Sequence, residues 1–107
     1  MKDPKSIDKC EVPLPVAVWG LGEANTNGVT KYVSARGICF SVDGRVAGGI
    51  GTALMLFVCL PQELTAGNQA LIRARARVTG IRRSKVRTDR LTITARMESY
   101  DFIAKTL

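Results

Sequence analysis

The chain has 107 residues and a formal net charge of +7, from 16 lysine and arginine residues against 9 aspartate and glutamate residues. Hydrophobic residues make up 46% of it and charged residues 23%, which excludes a disordered tail and predicts one globular domain. The longest uncharged stretch, Val46 to Gln62, is interrupted by glycine and proline and is shorter than the ~20 apolar residues of a membrane-spanning helix. Residues 1–9 lack the apolar core of a signal sequence, so we expect a cytoplasmic protein with no membrane-spanning segment.

The first half of the chain predicts a polar arm followed by short strands. A strand carries Pro15, Val16 and Val18, and the asparagine-rich cluster from Gly22 to Gly28 indicates a turn. The run from Tyr32 to Phe40 then joins another polar turn to an alternating strand.

The segment Ala53 to Leu60 differs from the other predicted strands because both of its faces are apolar. Leu54, Leu56, Val58 and Leu60 form one face, and Met55, Phe57 and Cys59 form the other. Something is therefore expected to cover the second face. The candidates are the C-terminal tail through Phe102, Ile103 and Leu107, a partner protein, or a second copy of the chain.

The second half of the chain contains two further strands with strict alternation. Apolar residues recur at every second position from Ala70 to Val78 and from Leu91 to Met97, and the residues between them are polar except for Leu71. Turn clusters at Asp43–Gly44, Thr65–Asn68 and Arg82–Asp89 separate the predicted strands. Short strands with short connections predict an antiparallel barrel or sandwich.

The order of these features resembles the PilZ family. Members of that family carry an R-x-x-x-R motif, a strand, then [D/N]-x-S-x-x-G and the remaining strands of a small antiparallel barrel. Here Lys5 and Lys9 occupy the positions of the two arginines, Tyr32 stands at the Asp/Asn position, and Ser34 and Gly37 match the motif.

The resemblance covers the chain from about Lys5 to Met97 and implies an all-β fold, a small six-stranded antiparallel barrel. It divides the chain into an N-terminal arm over residues 1–11, the barrel over residues 12–99 and a short C-terminal tail over residues 100–107. In the family a C-terminal helix packs on the barrel, so the resemblance allows a helical tail here.

The function that the resemblance implies is non-enzymatic sensing of cyclic di-GMP, a ligand with two phosphates and two guanines. The candidate ligand-binding residues lie in or next to the two motifs: Lys5, Lys9, Tyr32, Ser34, Arg36 and Gly37. Lysine keeps the charge of arginine but lacks its bidentate fork, and each good bidentate base contact contributes about 1–3 kcal/mol. Two such losses reduce affinity roughly 30-fold to more than 10⁴-fold, so we expect weak or absent binding.

Catalytic and metal sites find little support in the composition. The chain has no histidine, its carboxylates form no paired constellation, and it contains no phosphate-binding loop motif. Cys10, Cys39 and Cys59 lack zinc-site spacing, and Cys39 and Cys59 lie in apolar strands, where we expect buried, reduced thiols. The sequence therefore predicts no enzyme, no cofactor and no metal.

Seven arginines and Lys85 lie between Arg73 and Arg90, with Asp89 as the only acidic residue there, so the net positive charge comes mainly from this stretch. Arginines at alternate positions of a strand, such as Arg73, Arg75 and Arg77, are typical of a solvated face whose charges discourage aggregation. The segment contains no aromatic residue on which a base could stack. The segment therefore gives little support to nucleic acid as a partner. The first hypothesis is a signalling domain of cyclic di-GMP pathways. The alternatives are an adaptor of the same fold that acts through protein contacts without nucleotide and, third, a basic barrel that binds nucleic acid.

Overall fold

The computed structural model describes residues 10–20, 26–43, 48–60, 69–84, 86 and 90–106. Within these ranges the chain forms strands and no helix. The described strands are β1 (Pro15–Trp19), β2 (Thr26–Val33), β3 (Gly37–Asp43), β4 (Ala53–Leu60), β5 (Gln69–Arg83) and β6 (Arg90–Thr106).

The strands close into an antiparallel barrel in the order β1-β2-β3-β6-β5-β4, with β4 also paired to β1. β6 is the longest strand and lies between β3 and β5. Its first residues, Arg90–Arg96, pair with β3, whereas its pairing with β5 runs from Leu91 to Thr106. The prediction of a small antiparallel barrel is confirmed.

The core fills the inside of the barrel with the apolar residues that alternate along the strands. Phe40, Ile38, Leu56, Ile72 and Ile93 are among the largest side chains that are fully buried. The predicted inward faces of β4, β5 and β6 are confirmed, and Ile38, Phe40 and Val42 of β3 also lie in the core, because period-two alternation sends only one side of each strand into the closed barrel.

Residues 10–14 lie beside β2 and attach the start of the described chain to the barrel. Cys10 and Val33 form an isolated antiparallel bridge, with N–H to carbonyl distances of 2.8 and 3.0 Å in the two directions. Cys10 and Leu14 are buried in the core cluster. The point at which the N-terminal arm meets the barrel is thereby fixed next to the end of β2.

The C-terminal tail is a strand, and the helix that the resemblance allows is absent from residues 100–106. Tyr100–Thr106 continue β6 and pair with Gln69–Ala74 of β5, which gives their backbone groups hydrogen-bond partners in the sheet. Because β5 separates β6 from β4, the expectation that the tail covers the second face of β4 is wrong for these residues. Leu107 lies outside the described residues.

Two further expectations need correction. Cys39 is buried as predicted, but Cys59 is exposed, because a closed barrel has one interior and residues of β4 at odd positions face outward. The cluster Gly22–Gly28 is not entirely a turn, since β2 already begins at Thr26. Gly28 lies in β2, and a Cβ at this position would clash with the Ser41 carbonyl oxygen of β3. The close approach of the two strands therefore requires glycine here.

Candidate ligand-binding site

The turn between β2 and β3 contains the serine and glycine of the second motif. The Ser34 N–H donates to the Gly37 carbonyl at 2.9 Å and closes the turn. The Ser34 hydroxyl donates to the same carbonyl at 3.2 Å and accepts from the N–H groups of Arg36 and Gly37, both at 3.3 Å. The serine therefore has a structural role within its own turn, as serines in such positions often do.

The same turn is hydrogen-bonded to β6. The Met97 N–H donates to the Arg36 carbonyl at 2.9 Å, and Gly37 pairs with Arg96. A Cβ at position 37 would lie 3.2 Å from the Ala95 carbonyl oxygen, a tight contact with the backbone of β6. Glycine at this position thus allows β3 and β6 to approach closely, independently of any ligand.

Tyr32 and Arg36 flank Ser34 and present larger side chains near the turn. Tyr32 is half-buried on β2, opposite Cys39 and next to an irregularity in the strand register after Thr30. Arg36 is exposed, and its guanidinium makes no hydrogen bond or ion pair with any residue that the structure describes. An exposed arginine beside a half-buried tyrosine can offer charge and a ring face to an anionic, aromatic ligand.

Four of the predicted site residues, Tyr32, Ser34, Arg36 and Gly37, thus lie together in one described segment. Lys5 and Lys9 lie outside the described residues. Cys10, which follows Lys9 in the chain, nevertheless pairs with Val33. Val33 is the last residue of β2 and directly precedes Ser34. The attachment point of the arm and the second motif are therefore adjacent.

The arginines of β5 are exposed, and two of them, Arg73 and Arg77, have carboxylate partners. Arg73 binds Asp101 at 3.0 Å, and Arg77 binds Glu98 at 3.2 Å and the Gly51 carbonyl at 2.9 Å. All these side chains are solvent-exposed, so each ion pair contributes little to stability. The predicted solvated face of β5 is present, and its charge is partly neutralised by β6.

Arg75 differs from its two neighbours on the outer face of β5. Its guanidinium makes no hydrogen bond or ion pair among residues 10–20, 26–43, 48–60, 69–84, 86 and 90–106. Together with Arg73, Ser99, Tyr100 and Asp101 it lines a shallow, polar depression on the barrel surface. The sequence pattern identified the arginines but not this difference in pairing, which depends on the register of β6.

The described part of the chain has no group of three or more His, Cys, Asp or Glu side chains that could hold a metal ion. It also contains no helix that could span a membrane.

Fold and site together define a small all-β barrel domain with a polar turn and an N-terminal segment meeting at the end of β2. The solved structure of the Bacillus subtilis inhibitor of motility, MotI/DgrA, has the same fold, with a TM-score of 0.72 and 18% sequence identity. The alignment covers 92% of this chain and 44% of that chain, so the present chain spans less than half the length of the inhibitor. No family model and no curated protein sequence matches the chain.

Proposed function

We propose that this chain is a PilZ-like, non-enzymatic signalling domain of a cyclic di-GMP pathway, with a weakened nucleotide site. The observation that carries the proposal is the position of the Tyr-x-Ser-x-x-Gly turn, which is hydrogen-bonded to β6 and adjoins the attachment point of the arm at Cys10. The barrel fold shared with a motility inhibitor supports a regulatory role. Free thiols at Cys10, Cys39 and Cys59 accord with a reducing, cytoplasmic location.

The proposed site binds the ligand through residues from the arm and the turn. Lys5 and Lys9 would contact phosphate oxygens, Arg36 would add a guanidinium that has no partner among the described residues, and Tyr32 would offer a ring face to a guanine. A lysine is a point charge and cannot form the two parallel hydrogen bonds of an arginine with guanine or phosphate. The ligand is therefore held mainly by charge, which is sensitive to salt.

A second candidate function is an adaptor of the same fold that works through protein contacts without nucleotide. The hydrogen bonds of Ser34 favour it, because the hydroxyl already bonds the backbone of its own turn at three points. The motif serine and glycine are thereby explained by local structure alone. Both candidates share the barrel and a protein partner, and they differ in whether the cyclic dinucleotide is bound.

Calorimetric titration of the purified chain with cyclic di-GMP at low and moderate salt tests the proposal. Cyclic di-AMP serves as the matched control, because it carries the same two phosphates but lacks the guanine edge. We expect saturable, weak binding of cyclic di-GMP that exceeds binding of cyclic di-AMP at both salt concentrations. Equal heats for the two ligands that vanish with salt would indicate diffuse attraction to a basic protein and would favour the adaptor.

A further inference from the structure

We propose that the outer face of β1, β4 and β5 docks an acidic, amphipathic segment of a partner protein. The contact is made by the apolar strip Trp19, Met55 and Phe57 together with Arg75. The inference rests on the proposed function as a signalling domain with a protein partner, and it adds the location of the contact and the chemistry of that partner.

The register of the barrel brings these four residues together although they are distant in the sequence. Trp19 of β1 pairs with Met55 of β4, and Met55 pairs with Arg75 of β5. Phe57 pairs with Arg73 in the neighbouring row. Directly paired positions share a face of the sheet with Cβ atoms about 4.5–5.5 Å apart, so the apolar strip borders the arginines along its length.

The apolar strip is accessible at its β1 side. Trp19 is 46% exposed, and Met55 and Phe57 are half-buried on the outside of the barrel. Tryptophan, methionine, aromatic residues and arginine are enriched in protein interfaces, and binding hot spots are enriched in tryptophan, tyrosine and arginine. An indole exposed to this extent next to further apolar side chains indicates a contact surface.

Charge identifies the kind of partner. Arg73 and Arg77 are held by Asp101 and Glu98, whereas Arg75 between them has no carboxylate partner among the described residues. The sequence as a whole carries a net charge of +7. A carboxylate from a partner would meet Arg75 at the border of the apolar strip, so one face of the partner must combine acidic and apolar side chains.

Two other occupants fit the charges less well. A nucleic acid needs several unpaired cations for its phosphates, but of the three arginines in this patch only Arg75 has no carboxylate partner among the described residues, and one such cation suits a single carboxylate. A second copy of the chain would bring the same excess of positive charge to the interface.

The test uses a synthetic amphipathic helical peptide of glutamate and leucine, with adjoining acidic and apolar stripes, as the probe. Trp19 is the only tryptophan of the chain, so its fluorescence reports binding at the patch directly. We expect a saturable change in Trp19 fluorescence that a peptide with lysine in place of glutamate does not produce. Arg75→Glu should weaken binding by about tenfold, because it replaces an attractive charge contact with a repulsive one.

Arg82→Glu is the matched control. Arg82 is also exposed on β5 and makes no hydrogen bond or ion pair with any residue in the described part of the chain, but it lies opposite Thr92, away from the apolar strip. Equal weakening by Arg75→Glu and Arg82→Glu, or no binding of the acidic peptide to the wild type, would overturn the inference. Tighter binding of oligo-dT than of the peptide, or an Arg75-dependent dimer in sedimentation, would do so as well.

Titration of the same wild-type sample with cyclic di-GMP separates this inference from the proposed function. If cyclic di-GMP binds and the acidic peptide does not, the docking surface is refuted and the proposed function stands. Peptide binding that depends on Arg75 without nucleotide binding supports the docking surface and the adaptor.

Discussion

Thr30 and Leu14 are joined by two hydrogen bonds in the wall of the barrel. The Leu14 N–H donates to the Thr30 hydroxyl at 2.9 Å, and the Thr30 N–H donates to the Leu14 carbonyl at 2.9 Å. Thr30 is 2% exposed, so its hydroxyl takes the place of water for a buried backbone group. This pair holds the segment that leads into β1 against β2.

Replacing the buried hydroxyl tests that role. Thr30→Val keeps the side-chain shape but leaves the Leu14 N–H without its partner, which should lower the free energy of unfolding by about 1–3 kcal/mol in denaturant titration. The control is Thr79→Val on β5, where the threonine is exposed and its hydroxyl donates to the Thr94 carbonyl at 3.2 Å. Thr79→Val should lower the free energy of unfolding by less than about 0.5 kcal/mol. Equal losses for the two variants would show that the buried hydrogen bond has no special weight.

Gly28 provides a second stability test, because its requirement for glycine is steric. An added Cβ would meet the Ser41 carbonyl oxygen at 2.4 Å and a Val42 methyl carbon at 2.8 Å. Gly28→Ala should therefore destabilise the barrel by about 1–3 kcal/mol, as overpacking does. A Cβ at Gly49 would have no neighbour within 4 Å, so Gly49→Ala should change thermal stability little. A Gly28→Ala protein as stable as Gly49→Ala contradicts the close approach of β2 and β3.

The three cysteines should differ in reactivity because they differ in burial. Cys59 is exposed on the outside of β4, whereas Cys10 and Cys39 are buried. Under native conditions a thiol reagent should modify one cysteine rapidly, and the other two only on unfolding. Cys59→Ser should abolish the rapid phase, and Cys39→Ser should leave it intact. Two rapid phases in the wild type would indicate that a second thiol is accessible.

Restoring the family residues tests the nucleotide site. The triple change Lys5→Arg, Lys9→Arg and Tyr32→Asn supplies two guanidinium forks and an amide, and affinity for cyclic di-GMP in calorimetry should rise at least about tenfold. Lys31→Arg, on β2 next to Tyr32, is the control for adding a guanidinium outside the motifs.

If the triple mutant folds normally but gains no affinity, the site has been lost beyond its signature residues and the adaptor function is favoured. If affinity rises, adding Ser34→Ala should remove part of the gain. Since Ser34 also closes the β2–β3 turn, the stability of that variant is measured alongside its binding.

Alternation predicted the strands whose pattern is regular and failed where it is not. The inward faces of β5 and β6 follow directly from apolar residues at every second position. The start of β2 could not be predicted, because Thr26, Asn27 and Gly28 are typical turn residues. Their strand conformation depends on pairing with β1 and β3. Tertiary pairing here outweighs local propensity.

The candidate surfaces were predictable to different extents. The turn residues from Tyr32 to Gly37 are contiguous in the sequence, so their grouping could be predicted, whereas the saturated hydrogen bonding of Ser34 could not. Trp19 and Arg75 are brought together by the β1–β4 and β4–β5 registers. No aromatic residue stands among the arginines in the sequence, because the aromatic side chains near them in the barrel belong to other strands.

The strand order has a consequence for how the chain folds. The pairings β1 with β4 and β3 with β6 join segments far apart in the sequence, such as Val16 with Val58 and Phe40 with Ile93. Each requires a large loop-closure entropy before its contacts can form, so the topology favours folding in milliseconds to seconds over microseconds. Because β6 lies between β3 and β5, both of those strands keep open edges until it docks. A chain in which β6 is unpaired therefore presents two strand edges that can pair with another molecule.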